Sequence, residues 1–249
     1  MKHFFQPPAT PVIPDHQLIR RIGEGSYGEI WLAKNVIGTY RAVKIVYRAR
    51  FETERPYERE FKGIQKFEPI SRSHPGLVDI LQVGRNDDAG YFYYVMELAD
   101  DETSSGAVRP DTYSGKTLGK ELATRGRLPA LEALRFGQNL AAALAHMHQQ
   151  GLVHRDIKPA NIIFVDGHPK LADIGLVALV TEARTRVGTE GYMPPEGPGS
   201  IQADLYSLGK VLYEISTGQE LESFPVLPAN LIEFPDSQLV MELGIGKFD

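Results

Sequence analysis

One stretch near the middle of the chain, HRDIKPANIIFVDGHPKLADIG from His154 to Gly175, limits most strongly what the rest can fold into. Asp156 and Asp173 stand near its two ends, with Lys158 and Asn161 between them. Ile162–Val165 and Lys170–Ala172 are short apolar runs, and the Asp166-Gly167 pair between them is the strongest short-range signal for a tight hairpin, because such turns need positive φ at both central residues. Folding the hairpin back on itself brings Asp173 close to Asp156 and Asn161. Oxygen ligands then gather beside a lysine, a combination that suits a divalent metal and phosphate.

Composition narrows the classes. The 249 residues suffice for one large domain or two lobes around a cleft. A net charge of −5 leaves no basic footprint for a nucleic-acid partner. The absence of cysteine excludes disulfides and thiolate zinc sites. No apolar run approaches the roughly 20 residues that span a bilayer. Phe4 and Phe5 are not followed by the apolar core of a signal peptide, so the expectation is a cytoplasmic enzyme without a membrane segment.

Along the chain, Pro7, Pro8, Pro11 and Pro14 mark residues 1–14 as an extended, mobile leader. Leu18–Ile22 and Ile30–Ala33 read as strands around Gly23-Glu24-Gly25-Ser26-Tyr27-Gly28. A dinucleotide fold uses the same glycine spacing, but there the turn opens a helix, whereas Ile30, Trp31 and Leu32 are strand formers. The glycines therefore tip a hairpin whose backbone N–H groups can approach phosphate. Tyr40–Tyr47 is another strand, with Ala42 and Lys44 on one face and Val43 and Ile45 on the other. So apolar a setting gives Lys44 a need for a partner or a phosphate, unless it sits exposed on an edge.

A helix starts near Pro56, with Glu60, Ile64 and Phe67 on one face. Glu60 is the candidate partner of Lys44, while Glu58 points roughly 160° away and reads as solvated. Phe92–Leu98 is a strand, and residues 100–116 lack periodicity and read as an inserted loop, either a spacer or a flap at the cleft mouth. A short helix follows from Thr117 to about Arg125. The best helix opens at Pro129 and closes at Gly151, with an apolar stripe of Phe136, Leu140, Leu144 and Met147. His146 and His148 read as helix-end residues rather than metal ligands.

HRDIKPAN followed by a strand pair and D-x-G resembles the catalytic and metal-binding loops of the eukaryotic-type protein kinase superfamily, and Lys158 resembles its serine/threonine branch. The resemblance implies an α+β, bilobal fold: a β-rich N-lobe over residues 15–98 and a mainly helical C-lobe over 99–249. It implies ATP and Mg2+ as cofactors and a protein or peptide as substrate. Ile22, Gly23, Gly25, Gly28, Ile30, Ala42, Met96 and Ile163 match the nucleotide pocket, with Lys44 on the α- and β-phosphates, Glu60 paired to Lys44, and the backbone of Glu97 and Leu98 on the adenine edge. Asn161 and Asp173 match the magnesium ligands. Asp156 matches the base that orients the substrate hydroxyl, Lys158 the cation on the moving phosphoryl group, and Thr189 the residue that bonds both.

Ile64, Ile80, His154 and Ile174 match a packed column linking the lobes, and Asp204 an aspartate that braces the His154-Arg155 backbone. Gly188–Glu196 resembles the end of an activation segment, in which Thr181 or Thr185 is the expected phosphorylation site and Arg155 its receiver. Two departures stand out. Ile174 replaces the usual phenylalanine. No arginine follows Arg186 to pair with Glu196, and after about residue 215 the C-lobe reads as shortened, so a low melting temperature is expected. A non-catalytic nucleotide-binding scaffold is the second reading, and a small-molecule kinase the third.

Overall fold

The structure is a computed structural model that describes residues 10–25, 27–103, 108–179 and 188–226. Its upper lobe is a five-stranded antiparallel sheet of β1 (His16–Gly25), β2 (Gly28–Asn35), β3 (Tyr40–Tyr47), β4 (Ile80–Asn86) and β5 (Tyr91–Met96), in the order β1-β2-β3-β5-β4. β3 is central because its β-branched and aromatic side chains fill both faces. Ala42 and Val46 join the core shared with the lower lobe, while Val43, Ile45 and Tyr47 join a second cluster on the outer face.

That outer face explains a difference from expectation. The end of the leader is tied down: Ile13 is buried in the outer cluster, and the Tyr91 hydroxyl donates to Val12 O (3.0 Å) while accepting from Val12 N (3.2 Å). The sheet would otherwise leave an apolar face in water, and residues 10–13 cover part of it.

Helix α1 (Glu54–Ser71) packs below the sheet with Tyr57, Glu60, Ile64 and Phe67 buried. Pro56 lies in its first turn, where no intrahelical N–H is needed. Glu58 is not a solvated residue: both of its oxygens accept from Arg85 (2.6 and 2.9 Å), whose guanidinium lies over the Tyr57 and Phe61 rings. Ile64, Ile80, His154 and Ile174 are all buried between the lobes.

In the lower lobe, α2 (Leu118–Arg125) is capped by Thr117, which accepts from Lys120 N, and it ends at Gly126 in a positive-φ conformation. Helix α3 (Ala130–Gln149) buries the Phe136, Leu140, Leu144 and Met147 stripe, and α4 (Ile201–Thr217) lies against it where Gly137 makes room for Leu212. β6 (Leu152–Val153) leads into the catalytic-type loop. β7 (Ile162–Val165) and β8 (His168–Leu171) form the expected hairpin, with positive φ at Asp166 and Gly167. The described parts of residues 100–116 are not a loose spacer. Asp100 N donates to Phe164 O (2.7 Å), and the Asp100 carboxylate accepts from Asp166 N (2.9 Å) and Gly167 N (2.8 Å), capping the hairpin turn. Thr181, Thr185 and the chain beyond residue 226 lie outside the described residues. Among the described residues no helix is long and apolar enough to cross a membrane.

Candidate active site

A cleft of about 780 Å³ separates the sheet from the lower lobe. Cross-strand register builds its roof: Ile30 lies opposite Lys44, and Lys44 opposite Tyr94, so the three side chains stand in a row on one face. Ile22, Gly23 and Gly25 from β1, Ala42 from β3 and Met96 from β5 complete the roof. Asp156, Lys158, Asn161, Ile163, Asp173 and Thr189 form the floor, with Glu60 at the back.

Two residues expected at the nucleotide do not line this cleft. Gly28 is buried in β2, and a Cβ there would sit 2.2 Å from Ile45 O, so close strand packing accounts for the glycine. Leu98 packs against the core, while its neighbours Glu97 and Ala99 face the cleft, as alternation along an extended segment requires. Glu97 N–H is already engaged with Asp79 O (3.2 Å), which leaves the Glu97 carbonyl for a ligand. Its side chain accepts from Asp79 N (2.9 Å) and Lys170 Nζ (2.5 Å), anchoring this connection on the lower lobe. Tyr94 escaped sequence reading because β5, YFYYVM, is apolar throughout; only the strand register puts it beside Lys44. Its hydroxyl is buried beside the Lys44 ammonium.

The ion pair also differs from expectation. Lys44 Nζ contacts Asp173 Oδ1 at 2.5 Å and forms no ion pair with Glu60. The two nevertheless face each other across the gap left by Gly175, where a Cβ would lie 2.9 Å from Glu60 Oε1 and 3.0 Å from Lys44 Nζ. Burial disfavours the Lys44 charge, but Asp173, Tyr94 and Glu60 outweigh it and hold the ammonium well above the ordinary lysine range. Asp173 is depressed: burial opposes its charge, and Lys44 overcomes that. Glu60 is pushed up to about 7 by burial, only partly offset by Lys44.

A carboxyl raised in the folded state stabilises it below its unfolded value, and this contribution is lost as pH rises through about 7. Relative to Glu60→Gln, wild-type stability in chemical denaturation should therefore fall between about pH 5 and about pH 8. Ionised Glu60 sets a second carboxylate opposite Lys44 across the gap at Gly175. Denaturation profiles that run parallel in the two proteins across this range would refute this role for Glu60.

On the floor, Asp156 is held from both sides. Its Oδ1 accepts from Thr189 Oγ1 (2.7 Å), and its Oδ2 accepts from Asn161 Nδ2 (2.7 Å) and lies 3.0 Å from Lys158 Nζ. Lys158 Nζ also donates to Thr189 Oγ1 (2.6 Å), closing a ring of three residues. The loop is braced from beneath by Asp204, whose two oxygens accept from His154 N and Arg155 N at 2.8 Å each. His148 Nε2 lies 2.9 Å from the same carboxylate, so this helix-end histidine belongs to the brace. Arg155 shares a small pocket with Arg59 of α1, and burial together with the Arg59 charge pushes it down to about 10. Two adjacent cations favour an anion between them. Glu196 is exposed and makes no ion pair among the described residues.

The donors available fit magnesium bound with a polyphosphate. No cluster of three His, Cys, Asp or Glu side chains suited to a metal occurs among the described residues. Asn161 spends its amide N–H2 on Asp156, which leaves Oδ1 as a neutral oxygen donor in the cleft that Asp173 also lines. Magnesium is commonly held in this way, by one or two side-chain oxygens with water and phosphate filling the remaining positions.

A sheet lobe and a helical lobe that turn a lysine and a set of oxygen donors toward one cleft define a nucleotide-dependent phosphotransferase fold. Comparison with known families is specific: the protein kinase domain profile matches residues 16–225, and the chain belongs to the protein kinase family. It is similar to the serine/threonine-protein kinase PrkC of Bacillus subtilis (30% identity, covering 82% of this chain and 30% of that protein). It is also similar to CBL-interacting serine/threonine-protein kinase 7 of Arabidopsis thaliana (32% identity, 85% of this chain, 48% of that protein). A third relative is the DNA damage-responsive serine/threonine-protein kinase RqkA of Deinococcus radiodurans (30% identity, 85% of this chain, 31% of that protein). The chain thus spans less than half the length of these relatives.

Proposed function

We propose that this domain transfers the γ-phosphoryl group of ATP to serine or threonine hydroxyls of a protein substrate. The observation that carries the reading is the Asp156–Lys158–Thr189 ring facing the Lys44–Asp173 pair across one cleft. When bound, ATP would supply the phosphoryl group and magnesium would cancel much of the triphosphate's negative charge. Asn161 and Asp173 would hold the metal through their oxygens, and Lys44 the phosphates.

Asp156 orients the attacking hydroxyl and accepts its proton late, since a loose transition state needs positioning more than a strong base. Lys158 is held where negative charge develops. The shelf beside Asp156 is firm: Tyr192 OH donates to Glu214 (2.6 Å), Ser207 Oγ donates to Tyr192 O (2.9 Å), and Lys210 Nζ donates to Gly191 O (2.5 Å). A backbone fixed this way suits a peptide substrate better than a small molecule. A cytoplasmic location goes with this reading, since ATP is plentiful there.

The test is transfer of label from γ-labelled ATP to a generic acceptor protein, followed by phosphoamino-acid analysis. Phosphoserine or phosphothreonine is the expected product. Nucleotide binding without any transfer would instead select a scaffold role. Thr189→Val keeps the shape but removes the hydroxyl shared by Asp156 and Lys158. Hydrogen bonds to charged groups contribute about 1.5–3 kcal/mol, so kcat should fall roughly 10- to 100-fold, with recovery in Thr189→Ser. An unchanged kcat in Thr189→Val would remove the ring from the mechanism.

A further inference from the structure

The cleft has an outer border that its catalytic residues do not explain. Arg20 lies on β1, the strand that also brings Ile22 and Gly23 to the roof. Its Nε donates to Pro110 O (2.5 Å), and its Nη2 donates to the Tyr113 carbonyl. Both acceptors belong to the segment between β5 and α2. That segment is anchored below, where Lys116 N donates to Asp100 O (2.7 Å) and Lys120 Nζ donates to Ser114 Oγ (2.5 Å) and Gly115 O (2.9 Å). Behind, the Tyr113 hydroxyl donates to Ala99 O (3.0 Å). Tyr113 is 3% exposed, and with Gly115 it lines the cleft next to Ala99. One segment therefore touches the roof strand, the connection between the lobes and the first helix of the floor.

We propose that residues 108–116, clasped to β1 by Arg20, form the outer wall of the nucleotide site and act as an affinity and specificity element for ATP. This inference rests on the ATP-dependent reading above. The guanidinium fork reaches two carbonyls only when the roof lies close to the floor, so separating the lobes breaks both bonds at once. The clasp holds the cleft near its binding shape before the nucleotide arrives, which removes ordering cost from the binding step. The Tyr113 ring closes the edge beyond Ala99, so analogues enlarged on that side meet a buried side chain rather than solvent.

The probe is the non-hydrolysable ATP analogue AMP-PNP with Mg2+, titrated calorimetrically into wild type, Arg20→Ala and Arg20→Lys, with steady-state KM and kcat measured alongside. Arg20→Ala should bind about tenfold more weakly, as expected for lost charge-assisted bonds, and its KM for ATP should rise while kcat does not fall. Arg20→Lys, which keeps the charge but not the fork, should lie between the two. If Arg20→Ala proves unstable by thermal melt, Tyr113→Phe replaces it and removes only the bond to Ala99. Folded variants that bind AMP-PNP as tightly as wild type overturn the wall. A wild type that fails to bind AMP-PNP overturns the ATP reading and the wall with it. A wild type that binds but never transfers phosphate overturns the kinase reading alone, and the wall is then judged on the measured affinities.

Discussion

Asp156→Asn should lower phosphate transfer by about 10²–10⁴-fold, the range for losing a positioned general base, while leaving nucleotide affinity close to that of wild type. Loss of basicity is one part of the effect. The other is geometric. Asp156 accepts from Thr189 on one oxygen, and on the other from Asn161, with Lys158 at 3.0 Å. An amide at that position turns its N–H2 toward one of these donors. Thr189 can rotate in response, but Asn161 cannot do so without leaving the Asp156 backbone carbonyl, to which it also donates at 2.8 Å. Orientation and basicity are thus lost together, and the deficit should appear in kcat rather than in KM for ATP. A rate within threefold of wild type would show that Asp156 is not the residue on which transfer depends.

Asp204→Ala should be strongly destabilising. The carboxylate is 1% exposed and accepts from two backbone N–H groups of the catalytic-type loop. Truncation leaves both donors buried without a partner, at about 1–3 kcal/mol each. A total of about 4 kcal/mol corresponds to a drop of roughly 8–16 °C in melting temperature for a domain of this size. The loop also carries Asp156, and Arg155 sits in it at a positive φ of 74°, a conformation the surroundings must enforce. Activity should therefore fall even at temperatures where Asp204→Ala remains folded. Asp204→Asn retains one acceptor oxygen and should lie between. A melting temperature within about 2 °C of wild type would mean that the brace is not what holds the loop.

Most of the cleft floor was legible in the chain because it is nearly local. Asp156, Lys158, Asn161 and Asp173 fall within one loop and hairpin, and the Asp166-Gly167 turn dictates how that hairpin folds. The start of α2 was marked at Thr117, and α3 by its apolar stripe and Gly151, for the same kind of reason: caps and periodicity act over a few residues. Residues 100–116 were harder. They carry no period, and their order comes from Asp100, Tyr113 and Lys120 bonding to partners in other elements.

The sequence by itself marked the strands of the glycine hairpin, β3, β5, the β7–β8 hairpin and helices α1 to α3, and showed that a lysine and several oxygen donors would be available to phosphate; β4 carried no such mark. Only the tertiary structure decided how those groups pair. Lys44 meets Asp173 rather than Glu60, Glu58 turns to Arg85, Gly28 serves strand packing, and Tyr94 enters the cleft through its register with Lys44. Turn chemistry and periodicity govern backbone shape over one or two turns, whereas an ion pair depends on ångström differences in how helix, sheet and loop settle against one another.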